Sequence, residues 1–142
     1  KPLYSKKNCD LSFSGLKTAV KLKINSLGVL SKQDMSDIAA SFQKTVCDVI
    51  RRKSKFAMSE YESLYDGKRI VVAGGVAANQ AICSSLQEVA IENEYNFVAP
   101  TIKLCTDNAA MIAFAGLERL KAGNIDNIDF KPRARWSLEE VN

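Results

Sequence analysis

The middle of the chain alternates between apolar runs and polar or glycine breaks. Residues 70–73 form an uninterrupted apolar run with β-branched side chains, which is typical of a strand buried on both faces. Apolar positions at helical spacing follow, from about Ala78 or Asn79 to Glu92. A second short apolar run covers residues 97–99 and stops at a proline. This order predicts a βαβ unit with parallel, adjacent strands.

The residues before this unit predict a strand and two helices. Residues 11–14 alternate apolar and polar side chains, as in a half-buried strand, and residues 16–27 carry a helical pattern that Gly28 ends. Ser31 and Asp34 resemble a capping box. They open the longest helical pattern of the chain, which we expect to end at about Met58 or Glu60.

A last helix is predicted from Asp107 to about Ala122, with Thr106 or Asp107 as its N-cap. Its first turns are apolar nearly all round, so we expect them to be buried. Gly123 should end it.

The composition limits the classes of protein to which this chain can belong. The chain has 142 residues, 46% of them hydrophobic and 25% charged, which suits one globular domain. No apolar run reaches the ~20 residues of a membrane helix. The four cysteines form no Cys-x-x-Cys pair, so we expect reduced, mostly buried thiols. The absence of histidine excludes a Ser-His-Asp triad and any histidine-ligated metal site within this chain alone.

Positive charge is concentrated in the first half. Residues 1–69 hold fourteen Lys and Arg against seven Asp and Glu. Such a bias suits either a polyanion partner or a solvated helix face. The basic cluster from Arg51 to Lys55 has the same two interpretations, a nucleic-acid contact or complementation of a helix C-terminus, of which we favour the second.

Candidate chemistry lies where the two predicted strands end. Gly74 and Gly75 allow a sharp turn and close approach of a ligand before a helix N-terminus, which suits an anion or nucleotide, although a tight turn without a ligand fits equally. Asn79 offers an amide for a ribose or phosphate, and Asp107 a carboxylate for a metal or ribose hydroxyl. Asn79 and Asp107 are also residue types that suit the N-cap position of a helix. Carboxyl ends of parallel strands share one sheet edge, so we expect both side chains there.

Four segments, in order, resemble the tRNA N6-threonylcarbamoyladenosine transferase family, also labelled TsaD, Gcp or O-sialoglycoprotein endopeptidase. They are Asp-Leu-Ser-Phe-Ser-Gly-Leu-Lys-Thr at residues 10–18, Ala-Gly-Gly-Val-Ala-Ala-Asn at 73–79, Cys-Thr-Asp-Asn-Ala-Ala-Met-Ile-Ala at 105–113 and Arg-Ala-Arg-Trp-Ser-Leu-Glu at 133–139. The resemblance covers nearly the whole chain. One departure from the family pattern is Cys83, where the family generally has an arginine.

The resemblance implies an α/β, ribonuclease-H-like lobe of the actin-like, Hsp70-like and sugar-kinase ATPase fold. Residues 1–142 would form the second, C-terminal lobe of a two-lobe protein, as a chain that opens on Lys1 without methionine also suggests. It implies that Asn79 contacts a bound adenylate beside Gly74 and Gly75, and that Asp107 is a metal ligand.

The resemblance further implies one divalent metal ion, iron or zinc, in the complete protein. The other two ligands would be histidines of a His-x-x-x-His motif in the first lobe, so this chain alone should hold no metal tightly.

The implied activity is transfer of threonylcarbamoyl from threonylcarbamoyl-AMP to N6 of adenosine 37, in tRNAs that read codons beginning with A. The metal would polarise and orient the acyl donor, and Lys17, Arg51, Arg52 and Lys53 would help to hold tRNA. The implied partners are tRNA, the first lobe and other proteins of the same pathway, in the cytoplasm and without a membrane. The alternatives are a non-catalytic scaffold lobe and a metal-dependent glycoprotein endopeptidase.

Overall fold

The computed structural model describes residues 6–140, apart from the side chain of Leu138. The chain divides into two compact units, one up to Thr106 and one from Asp107. The first unit contains the helices and strands α1 Leu16–Leu27, α2 Lys32–Glu62, β1 Arg69–Val71, α3 Gln80–Glu92 and β2 Asn96–Val98. The second contains α4 Ala109–Lys121, and short 3-10 turns occur at Gly75–Ala78, Ile102–Leu104 and Leu138–Glu140.

The predicted βαβ unit is confirmed. Strands β1 and β2 pair in parallel, with Ile70 opposite Phe97, and α3 connects them. The backbone N–H of Val72 also donates to Val98 O at 2.9 Å, which extends the pairing by one residue. This arrangement places the turn after β1 at the carboxyl edge of the sheet.

The expectation that the first strand is buried on both faces is wrong. Strand β1 ends at Val71, whose residue is 64% exposed, whereas Ile70 is half-buried and packs on the core. Successive strand side chains point to opposite faces of a sheet. In the described residues the sheet has only two strands and the core covers one face of it, so the other face stays open.

The core lies where α2, α3 and the sheet meet. Val89 and Ala90 of α3 are 0% exposed, and Tyr95 at the start of β2 donates its hydroxyl hydrogen to Met58 O of α2 at 3.0 Å. Burial raises the pKa of the Tyr95 hydroxyl, because it disfavours the charged phenolate. The core thus ties β2 to α2 through a hydrogen bond as well as apolar contact.

Helix α2 begins as predicted and ends slightly later. The capping box is confirmed: Ser31 Oγ accepts from Asp34 N at 3.1 Å, and the Asp34 carboxylate accepts from Ser31 N at 2.9 Å. Hydrogen bonds from Ser31 lower the pKa of Asp34. The helix runs to Glu62, and its last turn contains no basic residue. The interpretation of the basic cluster as complementing the helix C-terminus is therefore wrong, because that effect is confined to the last turn.

The expectation of a strand at residues 11–14 is wrong. These residues are irregular and lead into the turn before α1, where the hydroxyl groups of Ser12 and Ser14 lie 3.0 Å apart. A strand needs a partner for its backbone groups, and the only sheet in the described residues is β1–β2.

In the second unit, the N-cap of α4 is Asn108, so the expectation of Thr106 or Asp107 is wrong. Asn108 Oδ1 accepts from Met111 N at 2.8 Å. The first turns are not buried either, since Ile112 is 66% exposed. The helical pattern and its end are confirmed, with Gly123 at φ 78° directly after the C-cap.

The cysteines are free thiols, as expected, but they are less buried than expected. Cys105 is buried, Cys47 and Cys83 are half-buried and Cys9 is exposed. No helix within residues 6–140 combines the length and apolarity that crossing a bilayer requires.

The core predicts a matched pair of stability effects on α3. Leu86 is 5% exposed, so Leu86→Ala should lower the free energy of unfolding by about 2–5 kcal/mol. Ile91 is 67% exposed, and Ile91→Ala should change it by less than about 0.5 kcal/mol. Urea denaturation followed by circular dichroism measures both, and equal losses would contradict this core.

Candidate functional site

A glycine turn joins β1 to α3. Gly74 has φ 88° and ψ 173°, a region that is essentially reserved for glycine, and its carbonyl accepts from Ala77 N at 2.9 Å. The 3-10 turn Gly75–Ala78 follows and is held to the core by Ala77, which is 7% exposed. The sequence therefore predicted the turn correctly, and the backbone conformation of Gly74 requires its glycine.

Asn79 is the N-cap of α3. Its side-chain oxygen accepts from Ala81 N at 3.0 Å and from Ile82 N at 3.2 Å, so the interpretation as a helix cap is confirmed. The residue is exposed, and among the described residues only its side-chain oxygen forms side-chain hydrogen bonds. The NH₂ group of Asn79 can therefore donate a hydrogen bond to a ligand, whereas its side-chain oxygen already accepts two hydrogen bonds from the helix.

The local charge at this helix start favours an anion. The first turn of α3 contains no acidic side chain, so nothing there offsets the partial positive charge of the helix N-terminus. Cys83, one turn along, donates its backbone N–H to Asn79 O at 2.9 Å. The backbone N–H groups of Ala81, Ile82 and Cys83 already donate within the cap, so the Asn79 NH₂ group is the side-chain donor that this turn offers to a phosphate or nucleotide.

Asp107 begins the second unit and is exposed. Because Asn108 caps α4, the Asp107 carboxylate is not used as a cap. Gly74, Gly75 and Asn79 lie together in one turn of the first unit. That Asp107 shares their sheet edge stays a prediction.

A metal site requires several ligand side chains gathered in one place. Nowhere in the described residues do three or more Asp, Glu, Cys or His side chains gather where a metal ion could bind. Divalent ions take four or more ligands in proteins, and one carboxylate does not meet that requirement.

Sequence reasoning missed the role of Lys53. Its residue is 3% exposed, and its ammonium group donates to Lys6 O, Asn8 O and Asn8 Oδ1 at 2.9, 2.9 and 2.7 Å. The helical spacing contained the signal, because Lys53 follows Val49 and Ile50 by four and three residues and so shares their apolar face. Arg51, a candidate RNA contact, binds Glu88 and Glu92 of α3, and its contact with RNA stays a prediction.

Comparison with known proteins places the chain in a family. The family model described as TsaD, tRNA N6-adenosine threonylcarbamoyltransferase, matches residues 1–114. The chain belongs to this family.

Curated relatives carry the same description. Proteins named tRNA N6-adenosine threonylcarbamoyltransferase are 49% identical in Rhodospirillum rubrum, over 98% of this chain, and 46% identical in Bartonella tribocorum, over 99% of it. One from Rickettsia rickettsii is 46% identical over 100% of it. The aligned region makes up 39%, 41% and 42% of those three proteins, so the chain spans about two fifths of the length of the relatives it matches.

The two glycines of the turn provide a matched test of its geometry. A Cβ at either position meets no heavy atom within 4 Å, but only Gly74 has a positive φ. Gly74→Ala should therefore destabilise the protein by about 1–3 kcal/mol, and Gly75→Ala by clearly less. Thermal unfolding of the two variants measures the difference, and equal effects would show that the backbone at Gly74 is unstrained.

Proposed function

We propose that this chain is the second lobe of a tRNA-modifying acyltransferase. The complete protein transfers threonylcarbamoyl from threonylcarbamoyl-AMP to N6 of adenosine 37, in tRNAs that read codons beginning with A. The observation that carries this proposal is the glycine turn and Asn79-capped helix at the carboxyl end of β1, within the segment that matches the family model. The parallel βαβ unit supports the finer assignment to a ribonuclease-H-like lobe of the actin-like ATPase fold.

The turn binds the adenylate part of the donor. The Asn79 NH₂ group donates to the nucleotide, the N-terminus of α3 offers partial positive charge to the phosphate, and Gly74 and Gly75 let the backbone approach it. In the transfer, the N6 amine of adenosine attacks the carbonyl carbon of the threonylcarbamoyl group. The bond from that carbon to the phosphate oxygen breaks, AMP leaves with the electron pair, and the amine loses a proton. A turn that holds AMP also holds the leaving group in place.

Asp107 supplies one ligand to a divalent metal ion, iron or zinc, and the first lobe supplies the others. The exposure of Asp107 and the use of Asn108 rather than Asp107 as the cap support this role, because its carboxylate is left for a ligand. Catalysis then requires both lobes, and this chain alone is inactive. Its partners are tRNA, the first lobe and other proteins of the pathway, and the protein works in the cytoplasm, away from membranes.

Asn79→Asp separates the cap from nucleotide binding. Aspartate caps a helix as well as asparagine, so the free energy of unfolding should change by less than about 0.5 kcal/mol. The carboxylate has no N–H to donate and repels a phosphate, so the affinity of the complete protein for AMP should fall at least about tenfold. Isothermal titration calorimetry measures this affinity for AMP.

Asn96→Asp is the matched control. Asn96 is exposed and opens β2, so this change adds the same charge at the opposite, amino edge of the sheet. The affinity of the Asn96→Asp variant for AMP should stay within about twofold of the affinity of the parent protein. Undiminished AMP binding by Asn79→Asp would contradict the nucleotide site.

Asp107→Asn tests the metal ligand. In the complete protein, the metal content by mass spectrometry and the threonylcarbamoyl transfer rate should both fall, the rate by at least about 100-fold, because an amide is a neutral and weaker ligand than a carboxylate. Asp126→Asn, an exposed aspartate of the same unit, should leave both unchanged. Normal transfer by Asp107→Asn would favour the scaffold interpretation instead.

A further inference from the structure

Residues 6–10 form a strap that is attached to the second half of α2 without being a helix or a strand. Lys53 makes this attachment, because its ammonium group donates to Lys6 O, Asn8 O and Asn8 Oδ1 at 2.9, 2.9 and 2.7 Å. A lysine ammonium group carries three donor hydrogens, and these three acceptors use all of them. A single side chain of α2 therefore holds the strap at two of its residues.

The hydrogen bonds continue from Asn8 to a carboxylate. Asn8 Nδ2 donates to Asp10 Oδ2 at 2.6 Å, and Asp10 is exposed. An ammonium group can only donate, so Lys53 binds the oxygen of the Asn8 side chain and thereby turns its NH₂ group toward Asp10. Lys53 thus orients an exposed carboxylate that it does not touch.

The stability of the fold does not by itself require a lysine at this position. Lys53 is 3% exposed, and its three acceptors are neutral oxygens, which repay the cost of burying a charge only in part. Replacing buried ionic groups by apolar side chains of similar volume is often neutral or stabilising. Val49 and Met58 are buried apolar residues of the same helix, so an apolar side chain would suit this position.

We propose that Lys53 is a positioning residue, whose charge fixes the strap and the Asp10 carboxylate on α2 without being needed for the stability of the fold. Apolar contact has no preferred direction, whereas hydrogen bonds from one ammonium group define where Lys6 and Asn8 lie. The strap leads through residues 11–14 into α1, so Lys53 also fixes the point from which the chain enters this helix. This role does not depend on the proposed transfer reaction.

The exposed thiol of Cys9, within the strap, provides the probe for the experiment. A nitroxide attached to Cys9 of the complete protein reports the mobility of the strap in its electron paramagnetic resonance spectrum, and a Cys9→Ser variant treated in the same way gives the background from other thiols. Lys53→Met is the test variant, because methionine is unbranched and flexible but has no ammonium group. Lys55→Met is the matched control, because it makes the same substitution at an exposed position of α2.

Lys53→Met should shorten the rotational correlation time of the nitroxide at least about twofold, because the strap is released. The midpoint of thermal unfolding should stay within about 3 °C of that of the parent protein, since an apolar side chain suits the buried position. Lys55→Met should change neither quantity. A mobile strap on an equally stable protein is the combination that separates positioning from stabilisation.

Three results would overturn the proposal. The first is unchanged mobility of the nitroxide in Lys53→Met. The second is equal loosening in Lys55→Met, which would make net charge the cause. The third is a folded Lys53→Met protein with a clearly lower unfolding midpoint, which would assign Lys53 to the stability of the fold.

Asn8→Ala tests the strap from its own side and leaves α2 unchanged. It removes one of the three acceptors of Lys53 and the bond to Asp10. The nitroxide should be more mobile than in the parent protein but less mobile than in Lys53→Met, because the two backbone acceptors remain. Mobility equal to that of the parent protein would overturn the proposal even if Lys53→Met did not fold.

Discussion

The packing of α3 against α2 and the two-stranded sheet is the contact on which the rest of the first unit depends. Val89 and Ala90 are fully buried there, and the salt bridges from Arg51 reinforce the same interface at its surface. Because this packing fixes where α3 begins, it also fixes the glycine turn and the cap. The position of the Asn79 amide is therefore determined by apolar contacts one to three turns away, and the candidate site takes its rigidity from the core.

Asn79 shows how one side chain serves both folding and binding. Its oxygen accepts two backbone hydrogen bonds, and those bonds hold the amide plane at the start of α3. A freely rotating asparagine would lose side-chain entropy on binding a ligand, whereas here the cap has already restricted it. The two interpretations of this residue that the sequence left open, cap and ligand, are thus compatible in one geometry.

The basic residues of α2 also differ from one another in what they contact. Four cations within five residues project in different directions because each residue of a helix turns by about 100°. Arg51 binds Glu88 and Glu92 of α3, Lys53 donates to oxygen atoms of Lys6 and Asn8, and the side chains of Arg52 and Lys55 are exposed. A run that looks uniform in sequence therefore supplies an interface ion pair, an internal anchor and exposed side chains.

The sequence by itself determined the features that depend on neighbours a few residues away: the spans of the helices, the capping box of α2, the Gly74 turn and the order of the βαβ unit. It also carried the motifs by which the family was recognised. Only the tertiary structure decided which surfaces are covered. The exposure of Val71, the lack of a strand at residues 11–14 and the anchoring role of Lys53 depend on distant partners. Whether a side chain is buried depends on its own element and on the element that packs against it, and a local sequence pattern describes only its own element.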